Sequence, residues 1–184
     1  NRLMLGLMTV RVLSEVLGRR VMARLVYDAP HNLVWEHEGS PDTYLHRKGA
    51  CPALGPNVDD LGPFQFTGHP VLVPGSMGAS SYVLAGVGNA RALNSACHGA
   101  GRALSRGAAR HADDVVPVLR VVTPLDTEAP DVRLRRDILA EHSARLREEA
   151  PHAYKAITPV IETVEAAGIA TRVARLWPLL TIKG

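Results

Sequence analysis

Ser95-Ala96-Cys97-His98-Gly99-Ala100-Gly101-Arg102 sets one histidine at the mouth of a small-residue turn, with Ser105-Arg106 a short step further on. Residues 98–110 read as a glycine-led helix. Two glycines let a backbone approach a ligand closely, and the free N–H groups of a helix start attract an anion. An imidazole held against a bound phosphate can also attack the phosphorus and carry the group covalently. Working outward from this stretch, the neighbouring segments are strand-like and are broken by turns rich in glycine and proline.

Upstream, Pro70-Val71-Leu72-Val73 reads as a buried strand that breaks at Pro74-Gly75-Ser76-Met77-Gly78, and Ser81 to Ala85 reads as the strand leaving that turn. The turn can be a backbone cradle for phosphate or ribose, with Ser76 and Ser81 as hydroxyl donors, or simply a tight turn. Further upstream, residues 52–68 are a Pro/Gly-rich connection, preceded by Tyr44-Leu45-His46-Arg47-Lys48-Gly49-Ala50. His46 can ligate a divalent metal while Arg47 and Lys48 offset a polyphosphate, but a lone histidine is not a metal site. His31 to Glu38 alternates like a short strand, and Gly39 to Asp42 reads as a turn. From Leu3 to about Val26, apolar residues recur at helical spacing, which predicts an amphipathic helix.

Downstream, Val115 to Val122 is a β-branched strand and Asp131 to Glu149 a charged, solvated helix. Thr158 and Pro159 mark a helix start and Gly168 its stop, after which Ile169 to Ile182 is extended. Strands and helices mix without βαβ regularity, so the predicted class is α+β. His31, His37, His69, His111, His142 and His152 read as surface or turn histidines.

The 184 residues suffice for one hydrophobic core, and no apolar run can span a bilayer. Arginine dominates the basic residues, lysine occurring only at Lys48, Lys155 and Lys183, and the net charge is +3. Arginine suits bidentate phosphate contacts, although a solvated surface also accounts for the charge. Aromatic residues make up only 4%, against a base-stacking sheet. Cys51 and Cys97 are too few for a disulfide framework, and with no secretory signal at the start a reducing cytoplasm is expected. No CxxC, HExxH, Walker A or nucleophile-elbow motif occurs. The chain opens on Asn1 with an apolar stripe already running at Leu3, so it reads as a piece of something longer.

Five blocks in order change what these turns imply. His46-Arg47-Lys48-Gly49-Ala50, Pro74-Gly75-Ser76-Met77-Gly78, Cys97-His98-Gly99-Ala100-Gly101-Arg102, Glu149-Ala150-Pro151-His152-Ala153-Tyr154-Lys155 and Ile182-Lys183-Gly184 resemble the RNA-splicing ligase RtcB family. The resemblance implies mixed sheets with flanking helices, forming the C-terminal portion of a larger catalytic domain whose N-terminal metal-ligand portion lies elsewhere. It implies a GTP- and manganese-dependent RNA ligase that joins a 3′-phosphate or 2′,3′-cyclic-phosphate end to a 5′-hydroxyl end, in tRNA splicing or RNA repair. His98 matches the nucleophile that carries GMP. His46 matches a manganese ligand that, with Arg47, also lies at the nucleotide. Pro74, Gly75, Ser76 and Met77 match the guanylate turn and Ser81 a guanine contact. Gly99, Ala100 and Gly101 line the same pocket, and Lys183 matches the lysine that reads the base. Tyr154 matches an aromatic near it, or is a core residue.

Cys51, Ala79 and Ala156 depart from the usual pattern, and residues 124–147 run longer than usual. RNA ends are the expected partner, with an accessory activator protein possible and no membrane. The isolated piece is expected to be inactive, because one histidine cannot hold two metals. The alternative is a non-catalytic nucleotide- or RNA-binding paralogue or fragment.

Overall fold

The computed structural model describes residues 2–36, 42–59, 61–112 and 120–183. The chain is α+β, with small sheets and flanking helices. Among the described residues, no helix is long and apolar enough to cross a membrane.

The core forms on two short apolar strands flanking the 74–78 turn. Strands β4 (Pro70–Val73) and β5 (Ser81–Gly86) pair antiparallel, Val71 facing Leu84 and Val73 facing Tyr82. Alternate residues of both point inward, so Val71, Val73, Tyr82 and Leu84 are almost wholly buried. β8 (Ala170–Leu176) adds to the other edge of β5, with a register shift at Val83/Leu84. Helix α5 (Ile157–Ala166) packs Ile157, Ile161 and Val164 into the same cluster, at the i, i+4, i+7 spacing of one helical face. Gly86 is held to glycine by close approach: a Cβ there would lie 2.5 Å from Ala53 C and 2.6 Å from its carbonyl oxygen.

Three smaller pairings surround this sheet. β1 (Asn32–Glu36) runs antiparallel to β2 (Tyr44–Lys48). β3 (Ala50–Pro52) runs antiparallel to β6 (Ser95–Cys97), with Ala50 opposite Cys97. β7 (Arg120–Val122) pairs in parallel with β9 (Leu180–Ile182).

Several expectations are corrected. Helix α1 spans Arg2–Val16 rather than reaching Val26, and none of its residues is buried. It ends because Gly18, with φ +60°, closes a Schellman motif: the Arg19 N–H donates to the Ser14 carbonyl and the Gly18 N–H to Glu15. The α5 stop at Gly168 uses the same two bonds, from Ile169 to Val164 and from Gly168 to Glu165. The α5 start differs from expectation, since Ala156 occupies the cap and Thr158 lies inside the helix, exposed. The glycine-led helix over residues 98–110 is not formed. Only Arg106–Arg110 (α2) is helical, capped by Ser105 Oγ accepting from the Ala108 N–H. The charged segment breaks at Leu134–Arg135 into α3 (Pro130–Arg133) and α4 (Arg136–Glu148). Of the strand expected over 115–122, residues 120–122 are described. Residues 37 and 38 of the strand expected from His31, and residues 39–41 of the following turn, lie outside the described residues.

Candidate active site

His98 follows β6 directly, at a strand end rather than a helix start. Its N–H donates to the Gly49 carbonyl at 3.0 Å, and the Gly49 N–H donates to the His31 carbonyl at 2.8 Å. One residue between β2 and β3, Gly49, thus links two histidines that are 67 positions apart in the chain. Their rings stack in parallel, with centroids 4.0 Å apart. Both Nδ1 atoms are shielded from solvent without a hydrogen-bond partner. Burial, reinforced by the positive potential of His31 and Arg2, holds the His98 pKa below its ordinary value. The imidazole is therefore neutral near pH 7, with a lone pair to use.

A cleft of about 740 Å³ opens in front of His98. Its floor is Gly99, Ala100 and Gly101. One wall is the β4–β5 turn, with Pro74, Gly75, Ser76 and Met77, and Ser81 at the foot of β5. The opposite wall comes from the end of the chain, including Lys183, and from Tyr154 and Lys155. Hydrogen bonds set each part. Gly75 N–H donates to Ser81 Oγ at 3.0 Å and Ala79 N–H to the Ser76 carbonyl at 3.0 Å, closing the turn. The turn is tied to the far wall where Met77 N–H meets the Glu149 carbonyl at 3.3 Å. The 98–104 loop is pinned to the 151–155 segment by Ala103 N–H to Ala153 O (2.9 Å) and Lys155 N–H to Gly101 O (3.1 Å). Lys183 is placed by its own N–H, which donates to Val122 O at 2.9 Å beside the β7–β9 pair.

Tyr154 resolves toward the cleft wall. Its hydroxyl donates to Glu149 and accepts from Arg102 Nη1 at 3.0 Å, while Arg102 Nη2 donates to the Glu148 carbonyl at 2.6 Å. Arg102 also lies 4.8 Å from the centre of the Tyr154 ring. Burial, then the hydrogen bond to Glu149, raises the Tyr154 pKa, so it stays a neutral phenol.

Of the residues singled out in the sequence, the cleft gathers His98, Gly99, Ala100, Gly101, Pro74, Gly75, Ser76, Met77, Ser81 and Lys183. It does not gather His46 or Arg47. His46 is exposed on β2, its Nε2 3.4 Å from Asn32 Oδ1. Arg47, on the opposite face of the same strand, is 8% exposed and turns toward β6. Burial lowers its pKa. The histidine the structure brings against His98 is His31, which the sequence offered only as a surface or turn histidine. Its signal was the dipeptide His31-Asn32 before an alternating strand, too short to separate from chance. Among the described residues, no group of three or more His, Cys, Asp or Glu side chains is placed to hold a metal.

The fold and cleft define an α+β protein with a glycine-walled cleft of about 740 Å³ built around a neutral histidine. The family model for tRNA-splicing ligase RtcB matches residues 1–184, and the chain belongs to that family. It is 40% identical over 168 residues to a tRNA-splicing ligase RtcB of Archaeoglobus fulgidus, covering 87% of this chain and 33% of that protein. An RNA-splicing ligase RtcB of Mycobacterium tuberculosis is 40% identical over 194 aligned residues, covering 100% of this chain and 41% of that one. A tRNA-splicing ligase RtcB of Pyrococcus furiosus is 41% identical over 172 residues, covering 87% of this chain and 16% of its own length. The chain thus spans less than half the length of each of these relatives.

Proposed function

We propose that this chain carries the guanylate-accepting part of an RNA ligase that joins a 3′-phosphate or 2′,3′-cyclic-phosphate end to a 5′-hydroxyl end. The observation that supports this most is the convergence of His98, the 74–77 turn, Ser81 and Lys183 on one cleft from four separate segments. In the reaction, a lone pair on the His98 imidazole attacks the α-phosphorus of GTP. An N–P bond forms, the P–O bond to the β-phosphate breaks, and pyrophosphate leaves with its electron pair. The RNA 3′-phosphate then takes the guanylate, and attack by the 5′-hydroxyl forms the phosphodiester and releases GMP. The depressed His98 pKa suits the first step, since a protonated imidazole has no lone pair to give. The 74–77 backbone and Ser81 orient the guanylate, Lys183 faces its base, and the closed wall at Tyr154 and Glu149 excludes water.

Manganese fits this site in part. The unpartnered Nδ1 of His31 beside His98 is a free imidazole donor of the kind divalent metals take. His31 is therefore the residue of this chain we assign to the metal, in place of the exposed His46. When bound, the ion would offset triphosphate charge. Two imidazoles do not make a complete site, so further ligands would come from residues outside the described ones.

The test is the full-length protein with α-labelled GTP and manganese. An acid-labile, alkali-stable protein adduct is expected, absent in His98→Asn. A wild-type protein that forms no adduct overturns the reading. The second reading is a nucleotide- or RNA-binding protein without ligase chemistry, favoured by the absence of a three-ligand group among the described residues. It predicts RNA binding without adduct or joining.

A further inference from the structure

A second cavity of about 830 Å³ shares no lining residue with the His98 cleft; much of its wall is aliphatic, and Arg47, Trp35, Tyr27 and His69 are set into it. Arg47 is its central charge. The guanidinium is held by Ser95 Oγ, 2.8 Å from Nε, and by the Leu93 carbonyl, 3.2 Å from Nη2. Both partners are neutral, and among the described residues no carboxylate pairs with Arg47. A cation buried to 8% exposure without a counter-ion is costly.

Trp35 stands beside it, with the Arg47 Cζ 5.6 Å from the ring centre. The indole Nε1–H is shielded from solvent and also lacks a partner among the described residues. Tyr27 and His69 form a second aromatic wall, with ring centroids 5.8 Å apart. Of the two acidic residues in the lining, Asp28 has both oxygens engaged by Arg2, at 2.6 and 3.0 Å, and Glu36 is exposed on β1.

A buried cation and a buried N–H donor both lacking an anionic acceptor, set among aromatic faces, call for a ligand that brings an anion together with a flat ring. We infer that this cavity is a nucleotide subsite for the RNA strand, with an unpaired base against Trp35 and its phosphate at Arg47. The inference rests on the RNA-ligase reading for the identity of the strand. The placement supports it independently. Ser95, which holds Arg47, precedes His98 by three residues of extended chain, about 10 Å, so one strand can reach both cavities. Unpaired bases are bound in this way, by stacking on aromatic rings with cations on the backbone.

The test measures binding of a fluorescein-labelled hexameric RNA ending in a 3′-phosphate to the full-length protein by anisotropy, with AMP as the free-nucleotide competitor. Trp35→Leu is expected to weaken RNA binding about tenfold, the loss typical of one stacked base. Arg47→Gln, which removes the charge, is expected to weaken it similarly and to flatten the salt dependence, and Trp35→Phe to restore most of the affinity. AMP at the same concentrations is expected not to displace the RNA. Unchanged RNA affinity in Trp35→Leu overturns the inference, as does displacement by AMP. Unchanged affinity together with a lower melting temperature in both variants also overturns it, and marks the cavity as a seat for a protein segment. Joining activity is scored separately: loss of RNA affinity in Trp35→Leu supports the subsite even if wild type forms no guanylate adduct. A wild type that joins RNA while Trp35→Leu binds it normally refutes the subsite alone.

Discussion

Gly75→Ala is the sharpest test of the cleft wall. A Cβ built at Gly75 would lie 2.3 Å from the Ser80 carbonyl oxygen and 2.5 Å from that of Ala79, both backbone atoms that cannot rotate away. Restoring ordinary contact opens the turn by about 1 Å and stretches the Gly75 N–H to Ser81 Oγ bond, now 3.0 Å. Overpacking costs about 1–3 kcal/mol and loss of that bond about 1 kcal/mol, so a destabilisation of roughly 2–4 kcal/mol is expected. For a domain of this size that lowers Tm by about 5–15 °C. A 1 Å displacement of a substrate-orienting turn costs up to about 100-fold in rate, read as the rate of GTP adduct formation. Gly99→Ala is the control. It faces the same cleft, yet its Cβ would meet nothing closer than the Pro74 carbonyl at 4.0 Å, so Tm should stay within about 2 °C. Native Tm and native adduct rate in Gly75→Ala would refute the reasoning, as would equal destabilisation by the two substitutions.

Three further outcomes follow from the packing. Ile161→Ala removes a wholly buried side chain of α5 and should cost about 2–5 kcal/mol in urea unfolding, whereas Thr158→Ala, exposed and not a cap, should change stability by less than about 0.5 kcal/mol. Tyr154→Phe removes a hydroxyl that accepts from Arg102 and donates to Glu149, and should cost about 1 kcal/mol while slowing adduct formation through a loosened cleft wall. Asp137, hydrogen-bonded by Arg135 at the start of α4, has its carboxyl pushed down to about 2. Because the folded value is the lower one, the pair's contribution is present well above pH 4 and is lost as pH falls through about 2. Asp137→Asn should therefore lower Tm slightly at pH 7 and not at all near pH 1. A difference of the same size at pH 1 would contradict that assignment.

What was legible in the sequence follows from range. β4, its Pro-Gly break and β5 declare themselves as short apolar runs on either side of a turn, and the two pair in the structure, Val71 and Val73 facing Leu84 and Tyr82. Gly168 was legible because a helix stop is a local event, and Gly18 carried the same signal inside an apolar stripe that masked it. The 98–110 segment misled because Gly, Ala and Ser carry no periodicity. Its course is set instead by Gly49, Gly101 and Ala153, in bonds no helix template contains. The surroundings of His31 and Arg47 were not legible for a related reason. The face a side chain takes on β1 or β2 depends on what lies across the sheet, and Trp35, Ser95 and His98 are assembled only in three dimensions.

β6 runs between the two cavities, Leu93 and Asn94 lining one before it and His98 the other after it, and this makes their functions separable by experiment. Arg47 anchors the β6 entry at Leu93 and Ser95, where Leu93 and Asn94 both hold left-handed conformations, with φ 52° and 49°. The exit at His98 is fixed independently by Ala50 opposite Cys97 and by the Gly49 carbonyl. A perturbation at the Trp35 face must cross the β3–β6 pairing before it moves the imidazole. Short antiparallel pairs buried against a packed core resist such shear, since Cys51 beside them is fully enclosed and Ala96 nearly so. Trp35→Leu should therefore change how tightly RNA is held before it changes how fast His98 accepts guanylate. If the two properties instead fall in proportion across a Trp35 series, β6 moves as a lever and the cavities form one site.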